Sequence, residues 1–193
     1  MSKPLPERIA KYPVLRQIGS GATSKVYLAR DPFAGRDVAI KVFLFDKHAD
    51  EQEERMMHKA FVAEASLAGK LNHPHIVDIF DAVVEPDRSY LVMEYVAGTT
   101  LEAHVDAATL LPVGKVVEIV FKCVRALEYA ARHGVIHRDI KPGNILLSAA
   151  GETKVGDFGA SFQQKLLDTT QISVVGSPAY MSPEQIRMEP LTH

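Results

Sequence analysis

His137-Arg138-Asp139-Ile140-Lys141-Pro142-Gly143-Asn144 is the stretch on which the reading of this sequence turns. Asp139 and Asn144 stand five residues apart, with Pro142 and Gly143 between them, directly after a long helical pattern. Proline and glycine at those places mark a loop. One short loop thus offers a carboxylate able to accept a hydroxyl proton and an amide oxygen able to hold a divalent cation. With each residue type at roughly 5%, the five letters His, Arg, Asp, Lys and Asn in fixed spacing recur by chance about once in three million positions. Chance is a poor explanation.

Outward from that loop, Asp157-Phe158-Gly159 follows a short strand, thirteen residues after Asn144. A strand-end Asp before Gly is ordinarily a turn former. Beside Asn144 it would complete a two-oxygen site for Mg²⁺, a cation that takes few protein ligands and several phosphate or water oxygens. Near the N-terminus, Ile18-Gly19-Ser20-Gly21-Ala22-Thr23-Ser24-Lys25-Val26 runs from one strand pattern into another. A dinucleotide fingerprint opens a helix instead, so that reading fails on context. A glycine-rich hairpin can lay bare backbone N–H groups over phosphates, although Ser24 stands where a third glycine is expected. Taken alone, the segment is equally an ordinary tight hairpin.

Val38-Ala39-Ile40-Lys41 places a lysine on an apolar strand. It reads either as an edge lysine with its stem on apolar surface or as an ammonium that grips a phosphate. The second reading needs a carboxylate partner. Glu64, between Ala63 and Ala65 on a helix face with Phe61, Leu67 and Ala68, is the candidate, against the alternative of a solvated glutamate.

Composition limits the classes. The 193 residues are 47% hydrophobic and 24% charged, which fits a soluble globular domain and excludes disorder or a collagen-like repeat. A formal net charge of -2 gives no basic surplus for nucleic acid or anionic lipid. The single cysteine cannot form an internal disulfide, which suits a reducing, cytoplasmic setting. MSKPLPERIAKY has no apolar run and is not read as a signal peptide, and no run of eighteen apolar residues offers a membrane segment.

Periodicity supplies the frame. Val14, Ile18, Val26, Leu28, Val38, Ile40 and Val42 predict three antiparallel strands over 14–47. A helix is expected over 50–70, acidic at the front and basic behind, then strands at 76–84 and 89–96. After Gly98 the pattern turns helical. Val113, Val116, Val117, Val120, Cys123, Val124, Leu127 and Ala131 form a stripe on a long helix, punctuated by Pro112 and Gly134. Short strands near 144–148 and 153–156 follow. The order predicts two lobes, joined near 96–100, with a cleft between them.

These motifs in this order resemble the eukaryotic-type (Hanks-type) serine/threonine protein kinase catalytic domain. The set is the Gly-rich loop, Val38-Ala39-Ile40-Lys41, the helix Glu64, His137-Arg138-Asp139 with Lys141 and Asn144, Asp157-Phe158-Gly159, and Ser182-Pro183-Glu184. The resemblance spans residues from about 12 to the last. Lys141, two after Asp139, and Gly176-Ser177-Pro178-Ala179-Tyr180-Met181 are similar to the serine/threonine branch. Asp-Phe-Gly-Ala-Ser and Ser-Pro-Ala-Tyr-Met are similar to bacterial members.

The resemblance implies an α+β, bilobal fold: a small antiparallel β-sheet N-lobe with one helix over about 12–96, and a mainly helical C-lobe from about 97. It implies ATP and Mg²⁺ as cofactors and a protein substrate with a Ser or Thr hydroxyl. By that likeness Ile18, Gly19, Ser20, Gly21, Ala22, Thr23 and Ser24 cover the phosphates, and Lys41 paired with Glu64 holds the α- and β-phosphates. Val26, Ala39 and Leu146 sandwich adenine, with Met93 as gatekeeper and Glu94, Tyr95 and Val96 as hinge. Asp139 orients the acceptor hydroxyl, Lys141 meets the γ-phosphate, and Asn144 and Asp157 hold the metal. Arg138 before Asp139 points to control by phosphorylation, with Thr169, Thr170 and Ser173 as candidates.

Other features read as structural: His137 as a packing residue, Cys123 as a core thiol, and His73 with His75 as a pair lacking further metal ligands nearby. The family's C-lobe continues well beyond Glu184, whereas this sequence ends at His193. The catalytic domain is therefore expected to be incomplete here, with the long helix's apolar face awaiting more C-lobe or a partner. A nucleotide-binding pseudokinase or scaffold, and a small-molecule phosphotransferase of related fold, are the alternative readings.

Overall fold

The computed structural model describes residues 5–21, 24–43, 51–85, 88–158, 178–187, 189 and 191; the side chains at 51–54, 56, 57, 60, 63, 64 and 178 also lie outside that description. Where apolar residues alternate, strands form: β1 (Arg8–Ile9), β2 (Tyr12–Ser20), β3 (Ser24–Asp31) and β4 (Arg36–Phe43). After helix α1 (Glu51–Ala68) come β5 (Ile79–Glu85) and β6 (Arg88–Glu94). They make one antiparallel sheet in the order β1-β2-β3-β4-β6-β5. The two-residue β1 was not foreseen, being too short to show a period.

The chain divides into two units, Met1–Ala65 with Ile79–Tyr95, and Ser66–Asp78 with Val96–His193. In the first, one sheet face is dry. Ile9, Tyr12, Tyr27, Ala29, Val38, Ile40, Val42, Tyr90 and Val92 form its core, with Val14 and Val83 packed against it. Each fully buried aliphatic side chain contributes about 1.5–3 kcal/mol relative to exposure. Desolvation in this core pushes the Tyr90 phenol up to about 12. On the opposite face Phe61 of α1 meets Phe43 of β4 edge to face, with ring centroids 5.4 Å apart. That aromatic contact seats the helix on the sheet.

In the second unit, β7 (Gly98–Thr100), β8 (Ile145–Ser148) and β9 (Thr153–Val155) form a small antiparallel sheet. The helical pattern expected directly after Gly98 is displaced: β7 comes first, and a 3-10 turn, Leu101–His104, follows it. Gly98 is required there, because a Cβ would lie 2.0 Å from the Leu147 carbonyl oxygen. Ile76 bridges Val155, joining the loop after α1 to this sheet.

Helix α2 (Val113–Arg132) begins after Pro112 and ends where Gly134 takes φ +74°, as its punctuation predicts. Its buried stripe, however, is Ile119, Cys123, Ala126 and Ala130. The sequence stripe coincides with it only at Cys123; Val113, Val116, Val117, Val120 and Val124 are exposed. The helix is apolar on both faces, so periodicity alone could not choose between them. Burial pushes the Cys123 thiol up, as expected of a core cysteine. Among the described residues no helix is long and apolar enough to cross a membrane.

Candidate functional site

Strand register assembles the first group of expected residues. Gly19 faces Val26 across β2 and β3, Val26 faces Lys41 across β3 and β4, and Lys41 faces Leu91 across β4 and β6. One step along, Leu28, Ala39 and Met93 form a parallel row. Opposed residues on paired strands share a face, so Gly19, Val26, Ala39, Lys41 and Met93 all lie on the side away from the dry core. Lys41 is half-buried, with Nζ 5.3 Å from the centre of the Phe43 ring. Its expected partner Glu64 lies on α1, three residues beyond Phe61, with its side chain outside the described residues.

The hairpin closes with the Gly21 N–H donating to the Ser24 carbonyl at 2.8 Å. Gly19 and Gly21 have no positive φ, and a Cβ on either would meet its nearest neighbour at 3.4 and 3.5 Å, an ordinary contact. Neither backbone conformation nor crowding among the described residues demands glycine at either position. Ile18 and Ser20 flank it on β2, while Ala22 and Thr23 lie outside the described residues. Glu94 ends β6, opposite Val38, and Tyr95 accepts a hydrogen bond from Arg16 at 3.3 Å.

The second unit holds the other group. Asp139 Oδ2 lies 2.7 Å from Lys141 Nζ and accepts Asn144 Nδ2–H at 3.0 Å. Asn144 Nδ2 also donates to the Asp139 carbonyl at 2.7 Å, and Asn144 itself is buried. With the amide nitrogen committed to Asp139, the oxygen is the end left to meet a cation. The Gly156 N–H donates to the Asn144 carbonyl at 2.8 Å, which anchors the residue before Asp157 to Asn144. Two hard oxygen donors, amide and carboxylate, fit Mg²⁺. Among the described residues no cluster of three or more His, Cys, Asp or Glu side chains offers a fuller metal cage. Leu146 lies half-buried on β8, two residues past Asn144, and Val96 is half-buried ahead of β7.

His137 is the loop's internal strut. It is 3% exposed; Nε2 donates to the Gly156 carbonyl at 2.8 Å and Nδ1 accepts the Asp139 N–H at 3.2 Å. Desolvation holds its pKa below the usual value, against weaker opposing effects of the Gly156 bond and of Asp157 and Asp139. Both nitrogens are thus used by a neutral ring that also lies 4.6 Å from Phe158. Packing, rather than proton transfer, is its work.

Two features were invisible in sequence. Arg138 and Asp157 adopt φ values of +66° and +60°, conformations that cost non-glycine residues of order 1–3 kcal/mol and persist where surroundings impose them. Gln185, on the short helix α3 (Pro183–Ile186), donates its side-chain N–H to the Arg138 carbonyl at 2.7 Å. A signal for its local role existed: Ser182-Pro183-Glu184-Gln185 spells a capping box with proline at the first helical position. Ser182 is the N-cap. Gly159, Thr169, Thr170 and Ser173 lie outside the described residues.

A family model described as a protein kinase domain matches residues 12–193. The chain belongs to the protein kinase domain family. This kinase-family chain is 42% identical over 178 residues to serine/threonine-protein kinase PrkC of Bacillus subtilis, a match covering 92% of the chain and 27% of PrkC. It is 40% identical over 179 residues to serine/threonine-protein kinase PknB of Mycobacterium leprae, covering 88% and 28% respectively. Among solved structures, the PknI kinase domain of Mycobacterium tuberculosis matches with TM-score 0.74 and 30% identity, over 96% of this chain and 68% of that one. The kinase-like α+β fold and the likeness to bacterial members are thereby borne out. The chain spans about a quarter of the length of the curated relatives it matches.

Proposed function

We propose that the protein transfers the γ-phosphoryl group of ATP to serine or threonine hydroxyls of proteins. The observation that carries this reading is the Asp139 constellation: a carboxylate held by Asn144 at 3.0 Å and Lys141 at 2.7 Å, inside a loop braced by His137. Phosphoryl transfer asks a protein mainly for positioning and charge neutralisation, and this loop is built for both. Asp139 receives the hydroxyl proton as the hydroxyl oxygen bonds to phosphorus, and ADP leaves with the former bridging oxygen. Lys141 faces the transferring group. Lys41, paired with Glu64, orients the α- and β-phosphates beneath the open backbone of Gly19 and Gly21. By the family likeness, Val26, Ala39 and Met93 with the 94–95 backbone are the adenine residues assigned in the first unit, and Val96 and Leu146 those assigned in the second. Asn144 and Asp157 would hold Mg²⁺, which would neutralise phosphate charge.

The relatives carrying the serine/threonine-kinase name support the acceptor class. With ATP as donor, the domain is read as cytoplasmic. Thr169 or Thr170 is the autophosphorylation site, its added charge pairing with Arg138.

The test is incubation of the full chain with γ-labelled ATP, Mg²⁺ and a mixed peptide library. Label is expected in phosphoserine and phosphothreonine, and Asp139→Asn is expected to remove it. Label on small alcohols would favour a small-molecule phosphotransferase; ATP binding with no transfer would favour a pseudokinase. Phosphopeptide mapping of an active preparation with Thr169 and Thr170 both unmodified would overturn the autophosphorylation assignment.

A further inference from the structure

Gln185 joins two segments that lie 47 residues apart in the sequence. Its side-chain oxygen accepts the Ser182 N–H at 3.2 Å, and its own backbone N–H donates to Ser182 Oγ at 3.3 Å. This reciprocal cap uses the oxygen end of the amide and fixes its plane. The nitrogen end then points at the Arg138 carbonyl, 2.7 Å away. One planar amide is therefore clamped by α3 at one end and grips the peptide joining Arg138 to Asp139 at the other.

That peptide sits where the backbone is least relaxed. Arg138 has φ +66°, a region that L side chains rarely adopt. A peptide plane so placed needs fixing from both sides. On the far side, the Asp139 N–H is held by His137 Nδ1 at 3.2 Å. Gln185 supplies the bond on the carbonyl side. Turning this plane would swing the Asp139 carboxylate, because the plane's N–H belongs to Asp139 itself.

We propose that Gln185 is a positioning residue for phosphoryl transfer: its amide, oriented by the Ser182 cap, holds the Arg138–Asp139 peptide and so ties the aim of the Asp139 carboxylate to segment 178–187. The inference rests on the reading of Asp139 as the group that receives the hydroxyl proton. A misplaced catalytic group lowers turnover steeply while leaving nucleotide affinity alone.

Gln185→Glu in the full chain separates aim from folding. The introduced carboxylate still accepts the Ser182 N–H, so the cap survives, but it turns an acceptor toward the Arg138 carbonyl. Expected at about pH 8 are a roughly tenfold fall in kcat, an unchanged KM for ATP and an unchanged melting temperature. At about pH 6 the introduced carboxyl, pushed up by the facing carbonyl, regains a proton and can donate again. The ratio of variant to wild-type kcat therefore rises on acidification, whereas Gln185→Leu shows no such recovery.

Wild-type kcat in Gln185→Glu, or a deficit that ignores pH, would overturn the proposal. Asp139→Asn in the same assay distinguishes the two failures. Retained activity there sinks the reading of the site, while lost activity with a silent Gln185→Glu sinks only the role of Gln185.

Discussion

Lys41 and Asp139 are positioned by opposite means. Lys41 takes its place from strand register: β3 on one side, β6 on the other, and a dry core of Val38, Ile40 and Val42 on the reverse face. Many interchangeable apolar contacts share that work, so no single one decides where the lysine points. Asp139 takes its place from individual hydrogen bonds, to His137, Asn144 and Lys141, along a backbone that is left-handed at Arg138. There each bond has one partner and no substitute. The sheet should therefore lose stability gradually under mutation while keeping its chemistry; the loop should lose chemistry first.

The largest effect tests the loop. Asp139→Asn keeps shape and a hydrogen-bonding amide but removes the proton acceptor, and is expected to lower kcat by about 10²–10⁴-fold. Its melting temperature should barely move, because only the Lys141 ion pair at 2.7 Å is lost. Peptide phosphorylation and calorimetry on the same preparation read both. Next comes the sheet. Ile40 is fully buried, so Ile40→Ala should cost about 2–5 kcal/mol of stability in denaturant titration. The fraction that stays folded should phosphorylate peptide at the wild-type rate. A large fall in kcat from Ile40→Ala, or a large fall in stability from Asp139→Asn, would break the contrast.

This contrast also explains what could be read from the sequence. Most of the sheet of the first unit was legible because a period of two, as over Val38, Ile40 and Val42, is imposed by burial. The loop was legible for another reason: it is spelled in letters, and the fold brings Asp139, Lys141 and Asn144 of that spelling together. Properties with no letter stayed hidden. The left-handed backbone at Arg138 and Asp157 is one of them, since neither residue type announces it. Gln185 showed its local cap, but its bond to Arg138 depends on the fold alone. The valine face of α2, expected to await a partner, is indeed exposed, but the stripe that does the burying, Ile119, Cys123, Ala126 and Ala130, was not singled out beyond Cys123. A helix with two apolar faces has no period that names the buried one.

A smaller effect sharpens the comparison from within the second unit, whose sheet depends on close backbone approach. Gly98→Ala would drive a Cβ to 2.0 Å from the Leu147 carbonyl oxygen and 2.8 Å from Ser148 Cα, both backbone atoms that cannot turn aside. The strands must part, at a cost of about 1–3 kcal/mol. Faster amide exchange across β7 and β8, with the β3–β4 amides unchanged, is the expected result. Uniform acceleration across both sheets would mean that the two do not open separately.

The smallest effect concerns a polar cluster that is neither sheet core nor catalytic loop. The His73 ring lies 5.1 Å from that of Tyr129 on α2 and 5.5 Å from that of His75, and Tyr129 in turn stacks on His133 at 4.3 Å. His73 Nδ1 accepts the His75 N–H at 3.2 Å, so a proton on that nitrogen would break the bond. Desolvation, then the charges of His75 and Arg125, hold the His73 pKa below its usual value. A folded pKa below the unfolded one means stability that is whole above about pH 6.5 and is lost as pH falls toward the folded value. His73→Asn keeps an acceptor for the His75 N–H but does not titrate. Its melting temperature should fall less than that of the wild type between about pH 7 and about pH 5. An equal fall would show that His73 does not carry the pH response.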